Sequence, residues 1–205
     1  SMHWPDPAQR HGRNLIPEIR TLLDTAGLAT RDLGGIAVGL GPGSYTGLRI
    51  GITAAKVLAY ALDITLVGLD SLEILARNAP AHAQHVSVIA DAQRGDLYAV
   101  EFARQTIGGP LTRLTPTRIE RQDEWLGRLA TGTFVLGPGL DRLRLPLPGA
   151  FARGAPADSR PDPAKLLDLA RETWASGRRD DPWLLEPHYL RRSAAEEQWD
   201  QRSKP

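Results

Sequence analysis

A glycine-rich stretch between an apolar run and a helical pattern constrains this chain more than any other feature of its sequence. The apolar run Ile36–Leu40 leads into it, and a helical pattern of apolar residues begins near Thr46. The glycines lie close together at Gly39, Gly41, Gly43 and Gly47. Such density is typical of a sharp turn or of close packing. We therefore predict a strand–loop–helix junction, whose exposed helix N–H groups suit an anion or a polar partner.

Length and composition limit the class of protein. The chain has 205 residues, 41% of them hydrophobic, which suffices for one large domain or two small lobes. Its formal net charge of +1 gives no overall electrostatic reason to bind nucleic acid or a membrane surface. It contains no cysteine, which excludes disulfides, thiolate metal sites and cysteine nucleophiles. Since no apolar run approaches the roughly 20 residues that span a bilayer, we expect a cytoplasmic protein with no membrane partner.

The first half of the chain alternates helical and strand patterns. We predict helices at 14–26, 46–62 and 72–78, and strands at 36–40 and 64–69. Ser71 is expected to cap the third helix. This order is typical of a parallel sheet with helical crossovers. The second helix is slim, because it carries Ala54, Ala55, Ala59 and Ala61.

The second half is richer in strand patterns. We predict strands at 86–90, 97–102, 111–117 and 133–136, helices at 123–129 and 163–176, and a loop at 143–158. The first two of these strands form a hairpin. The predicted organisation is a disordered lead-in at 1–10, an N-terminal α/β lobe at 11–80, a C-terminal α/β lobe at 85–192 and a flexible tail at 193–205.

Two interpretations of the glycine loop stay open on the residues alone. It could cradle a phosphate, or it could be a tight strand-to-helix turn, which its composition favours. It lacks the lysine of a Walker loop and the glycine order of a dinucleotide-binding fold. Ser44 also lacks the Gly-x-Ser-x-Gly context of a hydrolase nucleophile. Arg49 opposes the helix dipole, so we expect it to have a partner: a carboxylate, a phosphate or another chain.

Other polar clusters have a functional and a structural interpretation each. The turn Asp91–Asp96 holds two carboxylates that could form a catalytic pair, but a hairpin turn with a local ion pair is favoured. The five histidines are scattered, so no metal site is predicted. RNA contact is conceivable for the tail residues Tyr189, Arg191 and Arg192, but a solvated tail is the default interpretation.

Three motifs follow one another along the chain in a recognisable order. The loop Gly41–Gly51 is followed by the turn Asp91–Tyr98 and by the C-terminal motif Pro187–Arg191. In order and spacing they resemble the TsaB family of bacterial tRNA threonylcarbamoyladenosine biosynthesis proteins. That family usually has phenylalanine where this chain has Tyr45. The resemblance runs from about residue 11 to residue 191 and is more specific than the loop alone.

The resemblance implies a two-lobed α/β fold related to actin, Hsp70 and sugar kinases. It implies a non-catalytic partner subunit, because in this family the paralogue TsaD transfers the threonylcarbamoyl group to adenosine beside the tRNA anticodon. The implied partners are TsaD directly, TsaE through the complex, tRNA indirectly, and a second copy of the chain when it is alone. No cofactor is implied, except a nucleotide at an interface shared with another subunit.

The resemblance places contact with TsaD on the first two helices. A close four-helix contact also suits two adjacent helices of which one is slim. The residues expected to bind the partner are Leu15, Ile19, Leu22, Leu48, Ile52, Ala55, Lys56 and Ala59. The loop residues expected to set the second helix against the first are Gly41, Pro42, Gly43, Ser44, Tyr45, Thr46, Gly47 and Arg49. In this interpretation the glycines serve close packing.

The start of the chain departs from the family pattern. The family normally opens with a β-hairpin and a third strand, whereas this chain begins almost at the first helix. We therefore expect an N-terminal lobe truncated of its first strands, which removes half of a self-contained nucleotide site. Strand 36–40 would be an open edge, so either the chain is truncated, its start was misassigned, or another chain covers that edge.

Two alternative functions remain at this stage. One is a peptidase- or ATPase-like enzyme of the wider family, and the other is a helix-mediated homodimer with a different role. The absence of a His-x-x-x-His motif and of a phosphate-loop lysine argues against the enzyme.

Overall fold

Five helices and eight strands make up the part of the chain that the computed structural model describes, residues 11–191. The helices are α1 (His11–Thr25), α2 (Tyr45–Leu62), α3 (Ser71–Ala76), α4 (Gln122–Arg128) and α5 (Pro163–Ala175). The strands are β1 (Gly35–Gly39), β2 (Thr65–Leu69), β3 (His85–Asp91), β4 (Asp96–Ala103), β5 (Thr112–Arg113), β6 (Arg118–Arg121), β7 (Phe134–Leu136) and β8 (Ala152–Arg153). The predicted lead-in at 1–10, the tail at 193–205 and Arg192 lie outside the described residues.

The chain divides into two compact units. The first unit runs up to Leu69 and includes Leu166–Pro187, whereas the second comprises Asp70–Lys165 and the residues from His188 onward. This division differs from the predicted one between 80 and 85. The reason is that the segment after α5 returns to the first unit and bonds to its sheet.

The sheet of the first unit is a parallel pair, as the alternating pattern predicted. Gly35 of β1 faces Thr65 of β2, and the register continues to Gly39 and Leu69. Helix α2 makes the crossover between the strands. Within residues 11–191, β1 has a strand neighbour only at β2, so its other edge carries no strand.

The free edge of β2 is covered by the segment that follows α5. The backbone N–H of Gly68 donates to Asp180 Oδ2 at 2.7 Å, and the Asp180 N–H donates to the Leu66 carbonyl at 2.9 Å. Arg178 donates to the Gly68 carbonyl at 2.9 Å. A Cβ on Gly68 would lie 2.6 Å from the Leu40 side chain, so any larger residue would force that buried leucine to move. These bonds satisfy strand groups that would otherwise be exposed.

The sheet of the second unit is mixed. Its strand order is β5-β4-β3-β7-β8, with β6 also paired to β4. The predicted hairpin is confirmed, because β3 and β4 pair antiparallel from His85 opposite Ala103 to Asp91 opposite Leu97. One apolar cluster contains α3 residues with Val86, Val88 and Phe102; another contains Ile89, Leu97 and the fully buried Trp125.

Several local predictions differ from the structure. Asp70 rather than Ser71 caps α3, because its carboxylate accepts from the N–H of Leu72 at 2.8 Å and of Glu73 at 3.3 Å. The strand predicted at 111–117 is replaced by two short strands, β5 and β6, which both pair with β4. The predicted loop at 143–158 contains β8, a short strand added parallel to β7. Within the described range, none of the helices combines the length and apolarity needed to cross a bilayer.

Candidate functional site

The glycine loop forms the predicted strand-to-helix turn. Ser44 caps α2, since its side-chain oxygen accepts from the Gly47 N–H at 3.3 Å and its carbonyl accepts from the Leu48 N–H at 2.8 Å. The side chain thereby satisfies one of the N–H groups at the helix start that lack an intrahelical partner, and the carbonyl accepts the first bond of the helix. Gly41 and Pro42 are buried and joined by a cis peptide bond, whereas Gly43 and Thr46 are exposed.

Two of the loop glycines differ in how closely the chain packs against them. Gly41 has a φ of +101°, and a Cβ there would lie 2.8 Å from Leu48 Cδ1. Gly43 has ordinary space, since its Cβ would lie 3.9 Å from the nearest atoms of Leu48. The expectation that the glycines serve close packing therefore holds for Gly41 and not for Gly43.

Arg49, for which a partner was expected, lies over an aromatic ring of its own helix. Its guanidinium carbon is 4.1 Å from the ring centroid of Tyr45, within the range of a cation–π interaction. Tyr45 itself is 46% exposed. The contact fixes an arginine and a tyrosine together at the exposed start of α2.

Three of the predicted partner-binding residues are buried in the chain itself, which corrects their assignment, and a fourth, Lys56, bonds to it. Ile52, Ala55 and Ala59 are buried with Leu40, Leu66 and Leu185 in the core of the first unit. Lys56 Nζ donates to the Leu185 carbonyl at 3.1 Å. The apolar stripe read from the sequence as an interface is therefore mainly the inner face of α2.

The other half of that set lies on or between the two helices. Leu22 is 54% exposed, and Leu15 and Ile19 are half-buried. Leu48 is half-buried and packs against the core of the first unit. A cavity of about 370 Å³ is lined by Ile19 and Leu23 of α1 and by Leu58 of α2. The two helices thus leave an apolar groove as well as an outer surface.

Among the described residues of the first unit, the sequence reasoning missed the most exposed apolar side chains. Val57 is 59% exposed and Tyr60 is 66% exposed, three residues apart on the outer face of α2. Trp183 is 71% exposed and Leu184 is 77% exposed. The Trp183 ring stands edge-on to the Tyr60 ring with centroids 5.2 Å apart. We call these four residues the aromatic patch.

The aromatic patch carries a recognisable interface signal. Exposed, contiguous large apolar side chains mark interaction sites on protein surfaces, and tyrosine and tryptophan are enriched among residues that dominate binding energy. The signal available in the sequence was that Val57 and Tyr60 fall outside the stripe of Ile52, Ala55 and Ala59. The contact between Tyr60 and Trp183 joins residues far apart in the sequence, so no local sequence pattern predicts it.

In the second unit the structure joins two motifs that the sequence analysis treated separately. Arg191 donates to the carbonyls of Ala92 at 2.6 Å and Gln93 at 3.3 Å, and forms an ion pair with Asp96. Asp91 Oδ1 accepts from the Gln93 N–H at 2.7 Å. The turn interpretation is therefore supported over the catalytic pair, but the ion pair is long-range rather than local.

The tyrosine of the turn motif lies within the same electrostatic environment. Burial raises the pKa of the Tyr98 phenol, and the positive charge of Arg191 opposes that rise. Arg191 therefore binds the turn between β3 and β4 and is not part of a solvated tail.

Comparisons with known proteins give a consistent result. The sequence model of the family described as "TsaD: tRNA N6-adenosine threonylcarbamoyltransferase" matches residues 4–128. A Bacillus subtilis protein named tRNA threonylcarbamoyladenosine biosynthesis protein TsaB is 33% identical over 198 residues, covering 93% of this chain and 84% of that protein. An Escherichia coli protein of the same name is 33% identical over 108 residues, covering 52% of this chain and 47% of that protein.

Comparison with solved structures gives the same family as the sequence comparison. A Pseudomonas aeruginosa structure titled as an uncharacterized protein with similarity to peptidase YEAZ superposes with a TM-score of 0.75 at 29% identity. It covers 92% of this chain and 88% of that one. The α/β fold class predicted from the sequence is confirmed by this match.

Proposed function

Since this chain belongs to the TsaB family of tRNA threonylcarbamoyladenosine biosynthesis proteins, we propose that it is a non-catalytic subunit that binds a TsaD-type threonylcarbamoyltransferase. The observation that carries the proposal is the aromatic patch, with the adjoining groove between α1 and α2. A surface of this kind supports a role that depends on a protein partner.

The polar groups considered for catalysis are used structurally instead. The Ser44 hydroxyl accepts from a helix N–H, and the carboxylate of Asp91 accepts from a turn N–H. Asp96 is bound by Arg191. These contacts favour a binding subunit over a peptidase- or ATPase-like enzyme.

We propose that TsaD contacts Leu22 on α1 and the aromatic patch. Leu22 is the most exposed member of the expected set, and Val57, Tyr60 and Trp183 replace its buried members. The glycine loop keeps a supporting role, because its buried part fixes Leu48 at the start of α2. Any nucleotide would then bind at an interface shared with TsaD, and TsaE and tRNA would reach this chain through the complex.

Calorimetric titration of the purified chain with TsaD from the same organism tests the proposal. We expect a one-to-one complex, and a negative heat-capacity change because apolar surface is buried on binding. A repeat with nucleotide shows whether the interface holds one. Self-association of the chain through the same surface should be suppressed by TsaD. Absence of binding with and without nucleotide, from a chain that is folded by circular dichroism, would contradict the proposal.

A further inference from the structure

An arginine-lined cavity in the second unit has no role in the function proposed above. It has a volume of about 330 Å³ and lies beside the turn between β3 and β4. Three arginines line it, Arg94, Arg121 and Arg144, and all three are exposed at its mouth. Cationic side chains gathered around a cavity at the surface indicate an anionic ligand.

The position of Arg144 is set by the backbone of the turn. Gly95 has a φ of +90°, and a Cβ there would overlap the Arg144 guanidinium, with Nε only 2.8 Å away. Arg144 Nη2 donates to the Arg94 carbonyl at 3.3 Å. Glycine at 95 therefore serves two purposes, since it allows the left-handed conformation and makes room for the guanidinium.

A buried side chain holds the backbone of Arg144 in place. Gln122 is only 7% exposed, and its Oε1 accepts from the N–H of Arg144 at 2.8 Å and of Leu145 at 3.2 Å. Its Nε2 donates to the Leu145 carbonyl at 2.7 Å. A buried amide that makes three such bonds fixes the segment, so Arg144 is presented from a rigid support.

The local charge balance is positive. Arg121 donates to both carboxylate oxygens of Asp123, at 3.0 and 3.3 Å, and this hydrogen bonding holds the pKa of Asp123 below its usual value. Asp96 is paired with Arg191. Among the described residues, Arg144 has no carboxylate partner, and its guanidinium bonds only a carbonyl. Arg144 is thus a cationic donor in the cavity that the acidic residues lining it do not neutralise.

We propose that this cavity binds a phosphate of the tRNA backbone. Guanidinium groups match phosphate oxygens with paired, charge-assisted hydrogen bonds, and phosphate contacts position a nucleic acid without reading its sequence. The choice of tRNA as the source of the phosphate rests on the proposed function. It also changes the expected role of tRNA from an indirect partner to a direct one.

Binding of an unmodified tRNA transcript, measured against potassium chloride concentration, tests this site. The full chain is used alone and in the presence of TsaD, as wild type and as Arg144→Gln. We expect the substitution to weaken binding about tenfold, as loss of a charge-assisted bond does. The slope of log affinity against log salt should fall by about one, as for a lost phosphate contact.

Matched variants distinguish binding of tRNA at this cavity from a general effect of positive charge on the surface. Arg171→Gln removes an exposed arginine on α5, 3.9 Å from Asp168, and should leave tRNA binding unchanged. Arg94→Gln removes a second arginine that lines the cavity and should also weaken tRNA binding. Arg144→Lys keeps the charge but not the planar fork, so we expect an intermediate affinity.

The outcomes distinguish this inference from the proposed function. If the chain binds TsaD but Arg144→Gln leaves the salt slope unchanged, the tRNA site is wrong and the proposed function stands. If Arg144→Gln lowers the salt slope but the chain does not bind TsaD, the tRNA site stands and the proposed function is wrong. Wild-type chain that fails to bind tRNA in both settings overturns the inference. The inference is also overturned if inorganic phosphate or AMP competes with tRNA equally well on wild type and on Arg144→Gln, because the competed site then lies outside this cavity.

Discussion

A Tyr60→Glu substitution is expected to weaken binding to TsaD by at least about thirtyfold, the effect of removing one dominant interface residue. Tyr60 is 66% exposed and contacts the exposed ring of Trp183, so the substitution places a charge in the centre of the aromatic patch. Combined with Val57→Glu, the loss should exceed about a hundredfold, because two charges would have to be desolvated. Titration calorimetry against TsaD measures both effects.

Ile107→Glu is the matched control for these variants. Ile107 is 73% exposed and belongs to the second unit. The substitution therefore places the same charge on a comparably exposed apolar position outside α1 and α2. We expect wild-type affinity from it and unchanged thermal stability from all three variants, since exposed substitutions rarely alter folding. Equal loss of affinity in Ile107→Glu, or none in Tyr60→Glu, would remove the aromatic patch from the interface.

A Trp125→Ala substitution is expected to destabilise the protein by about 3–5 kcal/mol, the usual cost of deleting a buried aromatic side chain. Trp125 is 0% exposed, and its indole N–H donates to the buried Ser87 hydroxyl at 3.0 Å. The variant would leave both a cavity and an unpaired hydroxyl on β3. Chemical denaturation followed by circular dichroism measures the change in the free energy of unfolding.

A double-mutant cycle separates the cavity from the hydrogen bond. Ser87→Ala alone should cost about 1–3 kcal/mol, because it leaves the indole N–H buried without an acceptor. In the Trp125→Phe background the same substitution should cost much less, since the donor is already gone. If the two costs are equal, the hydrogen bond contributes nothing to stability.

The sequence predicted those parts of the fold that local patterns specify. Helix α2 was expected at 46–62 and is found at Tyr45–Leu62, because its start has a serine cap and its apolar residues recur at helical spacing. The parallel pairing of β1 with β2 followed from the alternation of strands and helices. At α3 two adjacent residues could serve as the cap. Asp70 rather than Ser71 is the cap, because its carboxylate accepts hydrogen bonds from two N–H groups.

The parts that failed depend on contacts between distant segments. An apolar stripe on α2 has the same appearance in sequence whether it faces a partner or the chain's own core. Ile52, Ala55 and Ala59 face the core, because β1, β2 and Leu185 pack there. The return of residues 178–185 to the first unit has no local signal, since it depends on the pairing of Asp180 with the edge of β2.

The same reason explains the altered view of the glycine loop. Its composition suggested a shared requirement for glycine, yet only Gly41 has both a left-handed conformation and a close neighbour. Likewise the Asp91–Asp96 turn and Arg191 each had a separate interpretation until the structure showed that Arg191 bonds to that turn. Sequence motifs therefore located the important segments, and tertiary contacts decided what each residue does.

The proposed role of this chain, to support catalysis by TsaD without performing it, is tested most directly by measuring threonylcarbamoyladenosine in tRNA after a reconstituted reaction. The reaction contains unmodified tRNA, an activated threonylcarbamoyl donor, TsaD and TsaE, with wild-type chain, with Tyr60→Glu or with no chain. We predict modification with the wild-type chain, little with Tyr60→Glu, and none without the chain or with the chain in place of TsaD. Full modification without the chain, or by the chain in the absence of TsaD, would contradict the proposed supporting role.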